Sequence, residues 1–282
     1  MTVVVVTDSS SCLPATLAVE HGISVVALHV LVNGLDHREG VDDIPEHAIS
    51  GNPVTTAGAS PGELTDVYAA ALERSGGDGV VALHISRGLS STWEAARQAA
   101  DQVGNAIRVV DSSSAGMGLG FAVLAAAESA ARGADVDVVY HDAVTASAKS
   151  RCFIVVDRLD HLRRGGRIGT AAALLGTALA MKPVLHISGG ALVLREKTRT
   201  SSKALNKLVD AAVAAASEVA DDSGVALAVH HMQCAERADD VAAMLASRIP
   251  RFTSIDVYPF GTVLGAHVGP GAVGVVVAPG RR

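Results

Sequence analysis

Twice in this chain an aspartate and three serines follow a run of valines, as VVTDSSS at 5–11 and as RVVDSSS at 108–114. A carboxylate beside hydroxyls at the carboxyl end of a strand can act in two ways. It can cap a helix start, because Ser and Asp accept from backbone N–H groups left free there. It can also mark a ligand site, because open α/β sheets bind ligands at that edge and helix N-termini offer N–H groups to an anion. Further turn serines, with His230, His231 and His267, raise nucleophilic chemistry, and a serine-dependent acyl hydrolase or acyltransferase is the alternative reading. No G-x-S-x-G turn supports it, and a triad is defined by geometry. Gly116, Gly118 and Gly120 are spaced wrongly for G-x-G-x-x-G, and no G-x-x-x-x-G-K-[ST] loop occurs, so those glycines read as points of close helix approach. Eleven histidines without H-E-x-x-H spacing, and Cys12, Cys152 and Cys234 without a C-x-x-C pair, imply neither a metal nor a cofactor.

The elements that must carry these residues differ between the two halves. In the first, β-branched runs at Thr2–Val6, Ser24–Val32, Val80–Ile85 and Ala106–Val110 alternate with helical segments at Leu13–His21, Pro61–Arg74, Ser91–Val103 and Ala115–Arg132. Strand, turn and helix in succession predict a Rossmann-like α/β domain with a parallel sheet over residues 1–150. From Phe153–Val156 the rhythm changes. A helix is expected over Ala171–Met181, then a hairpin of Val184–Ile187 and Ala191–Leu194 about Ser188-Gly189-Gly190, a link too short for a parallel pair. A helix at Ser202–Ala220, strands at Val225–Val229 and Ser254–Val257, a glycine-rich turn at 260–271 and a strand at Val273–Val277 complete an α+β domain over 151–282 with a mixed or antiparallel sheet. The fold class is therefore α/β in two domains, with a ligand expected between them.

Composition removes several classes of function. Hydrophobic residues at 49% against 18% charged supply ample core and no case for disorder. The net charge of -6 is interspersed, with no basic stripe or aromatic ladder, so nucleic acid is not an expected partner. MTVVVVTDSS lacks a basic n-region and reads as a first strand, and the longest apolar stretch is too short to span a bilayer. A cytoplasmic protein is expected, consistent with the sparse cysteines.

Four further segments are specific in combination: TTAGASPGEL at 55–64, HISRGLSSTWEAA at 84–96, RLDHLRRGGRIG at 158–169 and FGTVLGAHVGPGAVGV at 260–275. With VTDSSSCLP, VVDSSSAGMGLG and the block from Phe153 to Leu205, they resemble the DegV family nearly end to end. Its characterised members are the fatty-acid-binding subunits of bacterial fatty acid kinase. The resemblance implies a long-chain fatty acid in a buried tunnel, its carboxylate presented to a separate ATP-dependent kinase subunit that forms an acyl phosphate. The chain itself would then be no enzyme and would bind no ATP. Position by position, the family's carboxylate-binding threonine matches Thr56, the serine of its G-L-S-x-T matches Ser90, and the histidine of its G-x-H-x-G-P-G matches His267. Hydroxyls and a ring N–H can all donate to a carboxylate. Arg167 in GGRI matches an arginine near the pocket mouth, and Arg199 in KTRT is a candidate contact for the kinase partner. Where the family often has T-S-Q-P-S, this chain has Thr56-Ala57-Gly58-Ala59-Ser60, which predicts a softer loop on the carboxylate side.

Overall fold

The computed structural model describes residues 2–45, 54–174, 181–220 and 223–281. The chain forms two compact units. The first comprises Met1–Asp43 and Thr56–Ala148, and the second Ile44–Thr55 and Lys149–Arg282.

In the first unit, β1 (Val4–Asp8) is followed by a 3-10 turn (Ser9–Ser11), α1 (Ala15–Glu20), β2 (Ser24–Val26), β3 (His29–Val32), β4 (Leu35–Arg38), β5 (Val54–Ala57) and α2 (Pro61–Ser75). Then come β6 (Val80–His84), α3 (Thr92–Val103), β7 (Ile107–Asp111), α4 (Met117–Ala131) and α5 (Val136–Lys149). Strands β2, β1, β6 and β7, in that order, form a wholly parallel sheet. Five consecutive residues of β6 are buried, as are Val5 to Asp8 of β1, so helices cover both faces, as a parallel sheet built with crossover helices requires. The strand order reverses between β1 and β6.

One predicted strand, Ser24–Val32, is two. Val26 ends its pairing with β1, Leu28 donates its N–H to Ser9 Oγ at 3.1 Å, and the chain leaves the parallel sheet to form β3 in a separate sheet of order β4-β3-β5. Strand β4 escaped the sequence reading, although Asn33-Gly34, both at positive φ, is a strong two-residue hairpin signal.

The second unit contains β8 (Arg151–Val155), α6 (Asp160–Arg164), β9 (Lys182–Ser188), β10 (Ala191–Thr198), α7 (Ser201–Val219), β11 (Val225–His231), α8 (Ala235–Arg248), β12 (Phe252–Pro259), α9 (Gly261–Val268) and β13 (Val273–Pro279). Its sheet, ordered β10-β9-β8-β13-β11-β12, is antiparallel except for the parallel pair β11 and β12. Alternation along β8 divides the core. Phe153 and Val155 pack with α7 and α8, while Ile154 and Val156 join Leu162 of α6 and Val268 of α9 on the opposite face.

One expectation is corrected here, and another lies mostly outside the described residues. The described start of Ala171–Met181 lies in a 3-10 turn, Gly169–Leu174, and the remainder up to residue 180 lies outside the described residues. The glycine-rich stretch 260–271 is a helix over most of its length. Gly261 and Gly265 disfavour an isolated helix, but packing of Leu264 and Val268 with Leu162 of α6 and with the sheet offsets that propensity. Helices α5 and α8 were also absent from the sequence reading.

Candidate functional site

The edge where the parallel sheet reverses is occupied by a closed polar network. Asp8, at the end of β1, accepts from His84 Nδ1 at 2.9 Å and from the Ile85 N–H at 3.0 Å through one oxygen, and from the Ser10 N–H at 3.1 Å through the other. The second ring nitrogen of His84 meets Tyr68 Oη at 2.7 Å, and Asp8, His84 and Tyr68 are all fully buried. Burial, followed by the charge of Asp8, drives the Tyr68 hydroxyl well above its ordinary range, so it stays protonated. An Asp–His pair invites comparison with a hydrolase triad. In this one a tyrosine occupies the place of the nucleophilic serine, and nothing in the group reaches solvent.

This network positions a turn. Ile85 is held by Asp8, the Ser86 N–H donates to the Ser114 carbonyl at 2.9 Å, and the Arg87 N–H donates to Asp111 at 3.3 Å. The two D-S-S-S segments therefore clamp residues 85–87 from both flanking strands. Their capping role is narrower than the sequence suggests: Asp8 caps the 3-10 turn, whereas α4 begins after Gly116. The glycines of that helix do allow close approach, since a Cβ on Gly120 would lie 2.8 Å from the Ser11 carbonyl oxygen.

Beyond the clamp the Leu89 and Ser90 N–H groups both return to the Ser86 carbonyl, closing the turn that presents Ser90. Ser90 is half-buried and is not the helix cap by position, which is Ser91. Its Oγ accepts the Thr92 N–H at 3.3 Å and lies 2.9 Å from Thr92 Oγ1. Thr56 is the third residue of β5, half-buried, with the Ala57-Gly58-Ala59 loop leading to α2. That helix has a full capping box between Ser60 and Glu63. Burial opposes ionisation of Glu63, but hydrogen bonds from Ser60 and the nearby His29 outweigh it and hold the carboxyl below its ordinary value. The structure brings the Thr56 and Ser90 segments together at Gly58, where a Cβ would stand 2.6 Å from Thr92 Oγ1. Glycine at this position thus meets a packing need, a cause that the sequence reading did not identify.

In the second unit His267 is in the last turn of α9, not in an open loop. Its ring lies against Gly165, just past α6, where a Cβ would fall 2.2 Å from Nδ1. Arg167 is exposed and folds back to donate to the Gly165 carbonyl at 2.7 Å. A helix C-terminus favours an imidazolium by roughly 0.3–1 kcal/mol. Burial, with the neighbouring Arg167 charge, wins and takes the His267 pKa down to about 4. His267 is therefore neutral at physiological pH and donates one N–H.

Arg199 is exposed beyond the end of β10. Thr170 Oγ1 receives the Leu194 N–H at 3.0 Å, which fixes the segment after Arg167 on this strand. Arg199 follows the strand five residues beyond that contact. His230, one of the candidate catalytic histidines, is buried at the end of β11 and stacked on Phe260 at 5.0 Å, and burial pushes its pKa down to about 4. Among the described residues no group of three or more His, Cys, Asp or Glu could hold a metal ion, and no helix is long and apolar enough to cross a membrane.

Known proteins match this chain over nearly its whole length. The family model described as "Uncharacterised protein, DegV family COG1307" matches residues 2–280. A DegV domain-containing protein of Mycobacterium tuberculosis is 50% identical over 280 residues, covering 99% of this chain and 98% of the relative. Among solved structures, a DegV family protein from Corynebacterium glutamicum is 38% identical with a TM-score of 0.87, covering 100% of this chain and 99% of that one. A DegV family protein from Thermus thermophilus, described by its fatty acid binding, is 31% identical with a TM-score of 0.90 over 99% of each chain.

Proposed function

The chain belongs to the DegV family, and from that membership we propose that it binds a long-chain fatty acid, with the acyl tail buried and the carboxylate held by Thr56, Ser90 and His267. The observation that carries this reading is the full-length likeness to the Thermus protein described by its fatty acid binding. The chemistry supports it. Burying an acyl chain contributes about 0.8 kcal/mol per CH2, so the tail supplies most of the affinity and the head group sets orientation. A carboxylate taken from water needs several donors, and a neutral imidazole and hydroxyls can supply them without burying a second charge. With Nδ1 of His267 lying against Gly165, the donor is Nε2–H.

The carboxylate is in turn presented to a separate kinase subunit. One carboxylate oxygen attacks the γ-phosphorus of ATP, ADP leaves, and an acyl phosphate results. That assignment places the protein in the cytoplasm, where ATP is available. The exposed guanidinium of Arg167 suits the mouth of such a site and that of Arg199 a contact with the kinase.

Native mass spectrometry of the purified protein, with solvent extraction, tests the first step: a copurifying long-chain fatty acid is the expected result. A protein that carries no acyl species and gains no thermal stability from added palmitate or oleate overturns the reading. The kinase step is tested by trapping acyl phosphate as the hydroxamate when the protein, ATP and a fatty acid kinase subunit are combined. Arg167→Ala and Arg199→Ala are expected to slow trapping while palmitate affinity holds.

A further inference from the structure

We propose that Thr92 is a positioning residue of the head-group site: its buried hydroxyl saturates Ser90 Oγ as an acceptor and leaves Ser90 a donor only, selecting an ionised carboxylate over an alcohol. This rests on the fatty-acid reading and on Ser90 as a head-group donor, and deepens both.

The argument is one of hydrogen-bond capacity. A serine hydroxyl has one proton to give and two lone pairs to fill. One lone pair of Ser90 Oγ is taken by the Thr92 N–H at 3.3 Å. Thr92 Oγ1 lies 2.9 Å from the same atom, a pair in which either hydroxyl could donate. Burial decides between them. Thr92 is fully buried, and its hydroxyl faces the α-carbon of Gly58 on another side. Among the described residues the Thr92 proton is satisfied by Ser90 Oγ, and turning it elsewhere would leave a buried O–H unmet. Ser90 is half-buried and can give its proton outward. The lower-energy arrangement is therefore Thr92 donating and Ser90 accepting twice, with the Ser90 proton directed away from both.

A hydroxyl in this state matches a group that only accepts. An ionised carboxylate receives the proton as a charge-assisted bond. A fatty alcohol accepts more weakly, and its own O–H finds no lone pair on Ser90. Gly58 takes part because its missing Cβ leaves room for the Thr92 hydroxyl.

The test compares palmitate and hexadecanol binding to the whole chain, by displacement of a fluorescent fatty acid, for wild type, Thr92→Val, Thr92→Ser and Ser90→Ala, and for Thr92→Val in the Ser90→Ala background. Thr92→Val keeps shape and removes the hydroxyl. It is expected to weaken palmitate about fivefold and leave hexadecanol unchanged or tighter. Thr92→Ser restores the wild-type preference, and Thr92→Val adds nothing once Ser90 is alanine. Should Thr92→Val misfold, Thr92→Ala against Thr92→Ser carries the same comparison. Equal losses for acid and alcohol, unchanged palmitate affinity, or a further loss in the Ser90→Ala background overturns the Thr92 assignment alone. A wild-type protein that binds no palmitate overturns the fatty-acid reading with it.

Discussion

The two units prepare a hydrogen-bond donor by opposite means. In the first, Ser90 stands on a turn whose backbone is pinned by Asp8, Asp111 and Ser114 at the ends of parallel strands, and its hydroxyl is oriented by Thr92. In the second, His267 stands near the end of a short helix, and the absence of a side chain at Gly165 makes room for its ring. One is a hydrogen-bonded network that fixes a turn and leaves the Ser90 proton to be given outward. The other is a packing device whose state depends on protonation. A hydroxyl keeps its donor throughout the physiological range, whereas an imidazole titrates near its lower end unless burial and a nearby guanidinium suppress its charge, as they do at His267.

The contrast is broken most severely by Asp8→Ala, which leaves His84, Ile85 and Ser10 without their common buried acceptor. The expected loss is about 3–5 kcal/mol from the first unit. The chain's one tryptophan, Trp93, lies in that unit, so its fluorescence in a urea titration reports the change.

Acid should act on the second unit. His267 has a folded pKa of about 4 against an unfolded value of about 6.5, so the unfolded chain takes up the proton first as pH falls. The associated stability is fully present above pH 6.5 and is lost on the way down to pH 4, about 3 kcal/mol in all. His230 contributes with the same sign. Denaturation midpoints between pH 7 and pH 4 should therefore fall, and His267→Gln should flatten part of that slope while Ser90→Ala leaves it in place.

Gly165→Ala sharpens the comparison from the packing side. It forces the His267 ring or the backbone after α6 to move, at a cost of about 1–3 kcal/mol. Palmitate affinity should drop, and the change in ring environment is read from the His267 imidazole resonances. Ser90→Ala removes the acceptor of both the Thr92 N–H and the buried Thr92 hydroxyl, at a cost to stability of about 1–3 kcal/mol. Its consequence should appear in carboxylate binding.

Much of this molecule was legible before any coordinates. Valine runs followed by Asp and Ser identify β1 and β7, and alternation with Ala-rich segments gives the parallel sheet. The Ser188-Gly189-Gly190 turn correctly separates β9 from β10. The helix read over Pro61–Arg74 is α2, with the proline in its first turn. What escaped did so for physical reasons. Glycines at 261 and 265 mimic a loop because their helix depends on tertiary burial, and Ser24–Val32 looks continuous because composition does not reveal a strand changing sheets.

By itself the sequence determined the class of each half, the family, and the residue types that can hold a carboxylate. Those follow from local pattern and motif, which are properties of neighbours along the chain. Only the tertiary structure decided what each residue contacts. Asp8 serves His84, 76 positions away, Gly58 makes room for Thr92, and Gly165 makes room for His267. These are contacts between distant segments, fixed by close packing of the folded chain, and no spacing along the sequence encodes them.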